Sequence, residues 1–196
     1  MEVFMRIEIA QEKYARQIAD IYAPFVRSTA ISLETKAPDA DEVVALISNV
    51  SQQYPFLVCR DSKRITGFAY AEPSGRGAFE WTVNTQIYVH QGYQRKGIGE
   101  ALYTALLSML KQLGVANVYA SVAMPNLAGC ALHEKLGFKK EYCAEKVAYK
   151  LGRWHDVMYY RIVLNSGIPK EKKKIAELTE QEIKLATDEG EALLCR

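Results

Sequence analysis

The order of segments along this chain of 196 residues predicts an α+β fold with a mixed, largely antiparallel sheet. Three observations support that prediction: two helix-periodic segments near the start, three consecutive β-rich runs, and a later alternation of helical and β-rich segments. With 49% hydrophobic and 24% charged residues, the composition is that of an ordinary globular domain.

The first half of the chain supplies a strand, two helices and the three β-rich runs. Residues Met5 to Ile9 alternate like a strand, and we expect the helix that follows to end near Pro24. Its apolar face holds Tyr14, Ile18, Ile21, Tyr22 and Phe25. A second helix is expected to start at Pro38 and Asp39. Its core face holds Val43, Leu46, Ile47 and Val50. The runs "FLVCRD", "RITGFAYAEP" and "GAFEWTVNTQIYVH" are separated by turn residues and predict an antiparallel meander.

The second half alternates helices and strands. A long helix, "IGEALYTALLSML", is expected to stop at Leu113 and Gly114, and the β segment "NVYASVAM" follows it. A short helix lies in "PNLAGCALHEKLGF", and "EKVAYKLGRWHDVMYYRIVL" holds two strands around Gly152.

From Asn165 onward the chain is dense in charge and free of aromatic residues. We therefore expect a domain at residues 1–164 and a charged C-terminal segment at 165–196 that lies outside the core. Thr179 and Glu182 have the spacing of a capping box, which predicts one helix in this segment.

Composition excludes several functional classes. The formal net charge is +2, from 25 basic and 23 acidic residues, so the chain has no general attraction for nucleic acid or membrane surfaces. The four cysteines are scattered and form no C-x-x-C pair, so neither a disulfide framework nor a metal site is expected. No apolar run approaches the roughly 20 residues that span a bilayer. We expect a cytoplasmic protein.

The stretch "QRKGIG" lies at a junction between a strand and a helix. Backbone N–H groups at a helix start are unpaired, the helix dipole favours negative charge there, and glycine lets an anion approach closely. A glycine pair before a helix is also a common plain turn, so connector and phosphate site remain open alternatives. The spacing is that of neither a Walker loop nor a dinucleotide fingerprint.

Asn126 and His133 form a second candidate constellation. They are seven residues apart, almost two helical turns, and therefore share one face of the short helix. Asn126 can equally be a helix cap, and His133 can be a satisfied surface histidine.

Taken together, the "QRKGIG" turn after a strand and the later "NLAGCALHEKLGF" resemble the two signature motifs of the GNAT superfamily of N-acetyltransferases. The histidine at 133, "AFEWTVN" before "IYVH", and "YKLGRWHDV" are similar to the phosphinothricin and methionine sulfoximine acetyltransferase branch. The resemblance covers residues 5–164. It implies a GNAT fold, with helices flanking the sheet and a splay between two parallel strands.

The resemblance also implies acetyl-CoA as co-substrate, no metal, and a set of contacts for the co-substrate. The pantetheine would pair with the backbone of Ile87, Tyr88 and Val89. The pyrophosphate would be held by Gln94, Arg95, Lys96, Gly97, Ile98 and Gly99. Asn126 and His133 would line the thiol end.

The general base is where the chain departs from that branch, which has T-V-E where this chain has Thr82, Val83 and Asn84. An amide cannot accept the proton of an amine at neutral pH. His133 is the first candidate because a neutral imidazole is a competent base, and it can alternatively serve the leaving sulfur. Glu34 or an ordered water, which Asn84 could orient, are the other candidates. We expect direct attack by the amine, without a covalent enzyme intermediate.

The resemblance points to four substrate-binding candidates, Glu34, Arg76, Phe79 and Trp81. Glu34 could receive an ammonium group or be a solvated loop carboxylate, Arg76 could receive an anionic group, and the two aromatic residues could wall the pocket or pack within a strand.

The leading hypothesis is N-acetylation of a small amino-acid-like amine by a homodimer. The alternatives are another amine, such as a polyamine, an aminoglycoside or a protein N-terminus, and an acyl-CoA-binding protein with weak or lost catalysis.

Overall fold

The computed structural model describes residues 5–169 and 171–194, which form seven strands and five α-helices. The strands are β1 (Met5–Ile9), β2 (Phe56–Asp61), β3 (Arg64–Pro73), β4 (Thr82–Val89), β5 (Asn117–Ala123), β6 (Lys139–Lys150) and β7 (Arg153–Val163). The helices are α1 (Ala15–Ser28), α2 (Ala40–Val50), α3 (Ile98–Gln112), α4 (Leu127–Lys135) and α5 (Glu180–Glu191).

All seven strands belong to one sheet in the order β1-β2-β3-β4-β5-β7-β6. The strands from β1 to β4 pair antiparallel, which confirms the predicted meander, and β7 pairs antiparallel with both β5 and β6. The parallel pair is β4 with β5. The predicted α+β fold with a mixed, largely antiparallel sheet is confirmed.

The parallel pair is short, and this positions the site. Pairing of β4 with β5 covers only residues 82–84 against 117–119, although β4 continues to Val89 and β5 to Ala123. Past Asn84 and Tyr119 the two strands diverge. Backbone groups along residues 85–89 therefore face an opening instead of a neighbouring strand.

Three element boundaries differ from the sequence prediction. Strand β4 begins only at Thr82, because Gly77–Phe79 at the start of the third β-rich run form a 3-10 helix. Helix α1 continues past Pro24 to Ser28, because burial of Phe25 and Val26 in the core stabilises its last turn. Strand β6 begins at Lys139, earlier than expected, and its mostly exposed residues explain the weak strand pattern.

The C-terminal segment also differs, since it packs on the core instead of lying outside it. Ile175, Leu178 and Ala186 are buried in the main hydrophobic cluster, and α5 packs along α3 and β1. The helix starts at Thr179 with the predicted capping box. Its contact face is built from small residues, which bring helices close together but leave no apolar stripe in the sequence; a Cβ at Gly190 would clash with a carbonyl oxygen of α3.

Candidate active site

A cavity of about 420 Å³ opens where β4 and β5 diverge, and we call it the splay cleft. It is lined by both faces of β4, by β5, and by the starts of α3 and α4. The residues are Phe25, Ile31, Thr85, Gln86, Ile87, Tyr88, Val89, Tyr93, Gln94, Arg95, Gly97, Ile98, Gly99, Glu100, Tyr103, Ala120, Ser121, Val122, Asn126, Ala128, Gly129, Leu132 and His133. Nearly all the predicted co-substrate residues are brought together here.

The glycine turn forms one wall of the splay cleft. Gly97 has φ +78° and is the N-cap of α3, and Arg95 is also left-handed with φ +62°. The first helical hydrogen bond runs from the N–H of Ala101 to the carbonyl of Gly97, so the three preceding N–H groups have no partner within the helix. The turn therefore offers an anion several donors at the positive end of a helix dipole.

Gly99 lets two elements approach each other at this wall. A Cβ at this position would lie 3.3 Å from a methyl carbon of Leu132 on α4. Lys96 is the one predicted turn residue outside the cleft lining; its ammonium nitrogen lies 4.8 Å from the ring centroid of Tyr93.

Asn126 begins α4 at the far end of the splay cleft. Its side-chain oxygen accepts a hydrogen bond from the N–H of Gly129 at 2.9 Å, so this side chain caps the helix and lines the cleft at once.

His133 is buried, at 5% exposure, and both of its ring nitrogens have partners. Nδ1 donates to the carbonyl of Gly129 at 2.7 Å, and Nε2 therefore accepts from the hydroxyl of Tyr103 at 3.0 Å. The ring stacks on Tyr160. Burial lowers the pKa of His133, and the Gly129 carbonyl only partly opposes that shift, so the imidazole is neutral near pH 7.

Tyr103 extends this arrangement and was missed by sequence reasoning. Its hydroxyl lies 3.1 Å from Oγ1 of Thr85, so Thr85, Tyr103 and His133 form one hydrogen-bonded chain beside the splay cleft. The available signal was a hydroxyl-bearing aromatic within the apolar stripe of α3. Such residues usually find a partner when buried.

A second group of polar side chains lies on the α1 side of β4. We call Tyr22, Ser32, Glu72, Gln86 and Tyr88 the polar cluster. The Tyr22 hydroxyl is 2.8 Å from Oγ of Ser32, the Tyr88 hydroxyl donates to Gln86 at 3.3 Å, and the Gln86 amide faces the Glu72 carboxylate. Burial raises the pKa of Glu72, the Gln86 bond opposes that shift, and nearby Glu34 adds to it.

Glu34 and Lys150 border the polar cluster. Glu34 is exposed and tied to it by its backbone N–H, which donates to Oγ of Ser32 at 3.2 Å. Lys150 is buried at the end of β6 and donates to the carbonyl of Ser32 at 2.5 Å. Burial lowers the pKa of Lys150, with partial opposition from Glu34.

The remaining predicted residues lie outside the splay cleft. Asn84 is the last residue of β4 that pairs with β5, where it lies opposite Tyr119. Arg76 and Phe79 line a different cavity, of about 560 Å³. Trp81 is half-buried, and its carbonyl accepts two backbone N–H groups at the start of β5.

The described ranges contain no grouping of histidine, cysteine and acidic residues suited to a metal ion. Within residues 5–169 and 171–194, no helix combines the length and the apolar character that crossing a membrane requires.

The sheet order, the splay and the glycine turn define an acetyltransferase of the class that the sequence motifs indicate. Residues 7–159 match the model of the acetyltransferase (GNAT) domain. The chain therefore belongs to the GNAT family and is an N-acetyltransferase.

Three curated relatives of known activity are similar in sequence to this chain. The chain is 32% identical to a phosphinothricin N-acetyltransferase from Streptomyces viridochromogenes, over 74% of this chain and 79% of the relative. It is 30% identical to an L-amino acid N-acyltransferase from Escherichia coli, over 82% and 95%. The chain is 29% identical to an L-methionine sulfoximine/L-methionine sulfone acetyltransferase from Salmonella typhimurium, over 82% of this chain and 95% of the relative.

Solved structures agree with the fold. A phosphinothricin acetyltransferase from Sinorhizobium meliloti in complex with acetyl-CoA superposes with a TM-score of 0.83 at 27% identity, covering 89% of this chain and 98% of the other. An acetyltransferase from Salmonella typhimurium with its cofactor acetyl-CoA gives 0.81 at 28% identity, covering 85% and 98%.

Proposed function

We propose that this chain transfers the acetyl group of acetyl-CoA to the amino group of a small amino-acid-like compound, of the phosphinothricin or methionine sulfoximine type. The observation that carries the proposal is the splay cleft. One cavity is lined by the unpaired part of β4, by the glycine turn at the start of α3, and by the buried side chains of Tyr103 and His133. The curated relatives that act on such compounds support the substrate class.

The donor contacts follow from the geometry of the cleft. Backbone groups of residues 85–89 lack a strand partner on the β5 side and can pair with the amides of pantetheine. The pyrophosphate then lies on the glycine turn, with the guanidinium of Arg95 beside it. The thioester lies toward Asn126 and the Tyr103 hydroxyl.

The reaction is direct attack of the amine on the thioester. Among the described residues that line the splay cleft there is no cysteine, which supports transfer without an acetylated enzyme. His133 serves the leaving group in this proposal, because Nε2 already accepts a hydrogen bond from Tyr103 and has no free lone pair for the amine. The Tyr103 hydroxyl turns its single proton from Nε2 of His133 toward the departing thiolate and gives it to the sulfur.

The acceptor amine approaches from the α1 side, where Gln86 and Tyr88 line the cleft. Glu34, which borders the polar cluster, attracts the ammonium group in this proposal. Lys150 is the nearby cation for an acidic group of the acceptor, although its ammonium group is buried against Ser32.

One observation favours a second acceptor class. Glu34 and Glu72 place two carboxylates on the acceptor side. Burial raises the pKa of Tyr22, and both carboxylates add to that rise. A cationic acceptor with more than one amino group, such as a polyamine, suits that negative field.

We also propose that the protein is a cytoplasmic homodimer. Tyr142, Val147, Tyr149, Leu151 and Trp154 on the β6–β7 hairpin are each more than half exposed. The rings of Tyr149 and Trp154 are in contact. Exposed apolar side chains of this kind mark interaction surfaces, and a second copy is the partner that we propose.

Release of free thiol from acetyl-CoA, measured over a panel of amines, tests the function. We expect turnover with phosphinothricin, methionine sulfoximine or close analogues. Turnover confined to polyamines would establish the second acceptor class. Acetyl-CoA binding without turnover on any amine would contradict both.

A further inference from the structure

A carboxylate lies directly across the strand pair from Asn84. In the register of β3 and β4, Glu72 is the partner of Asn84. Opposed residues of an antiparallel pair project from the same face of the sheet, with Cβ atoms about 4.5–5.5 Å apart. The Glu72 side chain therefore occupies the same neighbourhood as the side chain at position 84.

Gln86 connects this carboxylate to the splay cleft. Gln86 follows Asn84 by two positions, projects from the same face and lines the cleft. Its amide group faces the Glu72 carboxylate and opposes the rise in pKa that burial causes there. Glu72 is thus a single side chain away from the cavity on the side where the acceptor amine approaches.

We propose that Glu72 accepts the proton of the attacking amine through one bridging water, so that the general base of this chain lies on β3 instead of at position 84 on β4. This inference rests on the proposed acetyl transfer. The ammonium group first gives one proton to Glu72, and the nitrogen lone pair then forms the C–N bond with the thioester carbonyl carbon. The C–S bond breaks with its electron pair on sulfur. Sulfur takes up the proton of the Tyr103 hydroxyl, and the second proton of the amine nitrogen restores that hydroxyl. Glu72 finally releases its proton to solvent.

The surroundings suit a carboxylate to this task. Glu72 is half-buried, and burial raises its pKa toward the working pH, where a carboxylate is a more effective base. The Gln86 amide opposes the shift and Glu34 adds to it. Two tyrosines lie near this carboxylate, Tyr22 on α1 and Tyr70 on β3. Tyr88 on β4 adjoins Tyr22, and Lys150 on β6 lies near Glu34.

The amide at position 84 is consistent with this placement. Two carboxylates directly opposed on neighbouring strands repel each other. With Glu72 present, a neutral Asn84 avoids that repulsion. One carboxylate, at position 72 or at position 84, should therefore be enough to supply the base.

The test measures kcat as a function of pH, with acetyl-CoA and an amine that the wild-type chain acetylates. Glu72→Gln should lower kcat near neutral pH by about 10²- to 10³-fold and remove the acidic limb of the profile. The exchanged variant, Glu72→Gln with Asn84→Glu, should recover the limb and most of kcat. Glu34→Gln removes a carboxylate from the same surroundings and should keep the limb but move it to lower pH, because Glu34 adds to the raised pKa of Glu72. Isothermal titration with acetyl-CoA reports whether each variant retains its fold and cleft.

The outcomes separate this inference from the function on which it rests. A wild-type chain that acetylates no amine defeats the proposed function, and Glu72 with it. Wild-type turnover with a Glu72→Gln variant that keeps the limb, or an exchanged variant that recovers neither limb nor kcat, defeats the role of Glu72 alone. If Glu72→Gln does not bind acetyl-CoA, Glu72→Asp takes its place, and that variant must keep the limb at a lower kcat.

Discussion

The imidazole of His133 is held in one tautomer by the Gly129 carbonyl and the Tyr103 hydroxyl. Burial keeps it neutral by lowering its pKa. A histidine held in this way orients a neighbouring hydroxyl well, but its acceptor nitrogen is already occupied. The geometry therefore favours a role at the leaving group and leaves the base to a carboxylate.

Tyr103→Phe removes the donor to Nε2 of His133 while preserving the ring. We expect kcat to fall by about 10- to 100-fold, because the thiolate loses its proton source. We also expect a loss of about 1–2 kcal/mol of stability, because a buried nitrogen loses its partner. Thiol-release kinetics and urea unfolding measure the two effects. Tyr142→Phe, at an exposed site in β6, is the matched control, and equal behaviour of the two variants would contradict the role.

Glu72→Gln also has a predicted effect on stability. Because the pKa of Glu72 is raised in the folded state, its contribution to stability is present at low pH and is lost as pH rises through the folded pKa. The variant should therefore gain in melting temperature relative to wild type as pH increases from about 5 to about 8. Scanning calorimetry at the two pH values measures this. If the melting temperature of the variant instead falls relative to that of the wild type as pH rises, Glu72 is stabilised as a carboxylate.

Among the elements, the short pairing of β4 with β5 and the start of α3 decide where the site lies. The glycine turn provides donors only because Gly97 is left-handed and α3 begins immediately after it. The same helix packs α5 along its length, so the helix that presents the turn also anchors the C-terminal segment.

The contact between α3 and α5 depends on Gly190. Alanine normally stabilises a helix interior relative to glycine by about 1 kcal/mol. Here a Cβ would clash with the Ala101 carbonyl and the Ile7 side chain, so we expect Gly190→Ala to destabilise the protein by about 1–2 kcal/mol net. Glu189→Ala, on the exposed face of α5, should be nearly neutral. Chemical denaturation measures both variants, and a stabilised Gly190→Ala would contradict this packing.

At the scale of the whole molecule, the exposed apolar side chains of the β6–β7 hairpin lie on the edge strand β6, on its neighbour β7 and on the turn between them. Edge strands with apolar side chains commonly recruit another chain. That is the physical basis of the proposed dimer.

Trp154→Asp should weaken the dimer, because it places a charge on an apolar contact surface. We expect the dimer dissociation constant to rise at least about 30-fold, which corresponds to about 2 kcal/mol. Analytical ultracentrifugation over a concentration series measures it. Leu185→Asp alters an equally exposed apolar residue on α5 and should leave the assembly unchanged. A monomeric wild-type chain would contradict the proposal.

Much of the fold was predictable because the meander, α3 and α4 are local patterns of periodicity and turn residues. The C-terminal segment was not, because its contact face consists of small residues such as Ala186 and Gly190. The glycine turn and Asn126 were predictable from motifs. Tyr103 was not, because its partner His133 lies 30 positions away in the sequence.

By itself, the sequence determined the element order, the glycine turn and the family motifs, since each is encoded by neighbouring residues. The tertiary structure alone decided which side chains meet. It gave both ring nitrogens of His133 a hydrogen-bond partner and placed Arg76 and Phe79 in a separate cavity. It also set Glu72 opposite Asn84 in the β3–β4 pairing. Strand register and helix packing join residues far apart along the chain, and local patterns do not contain that information.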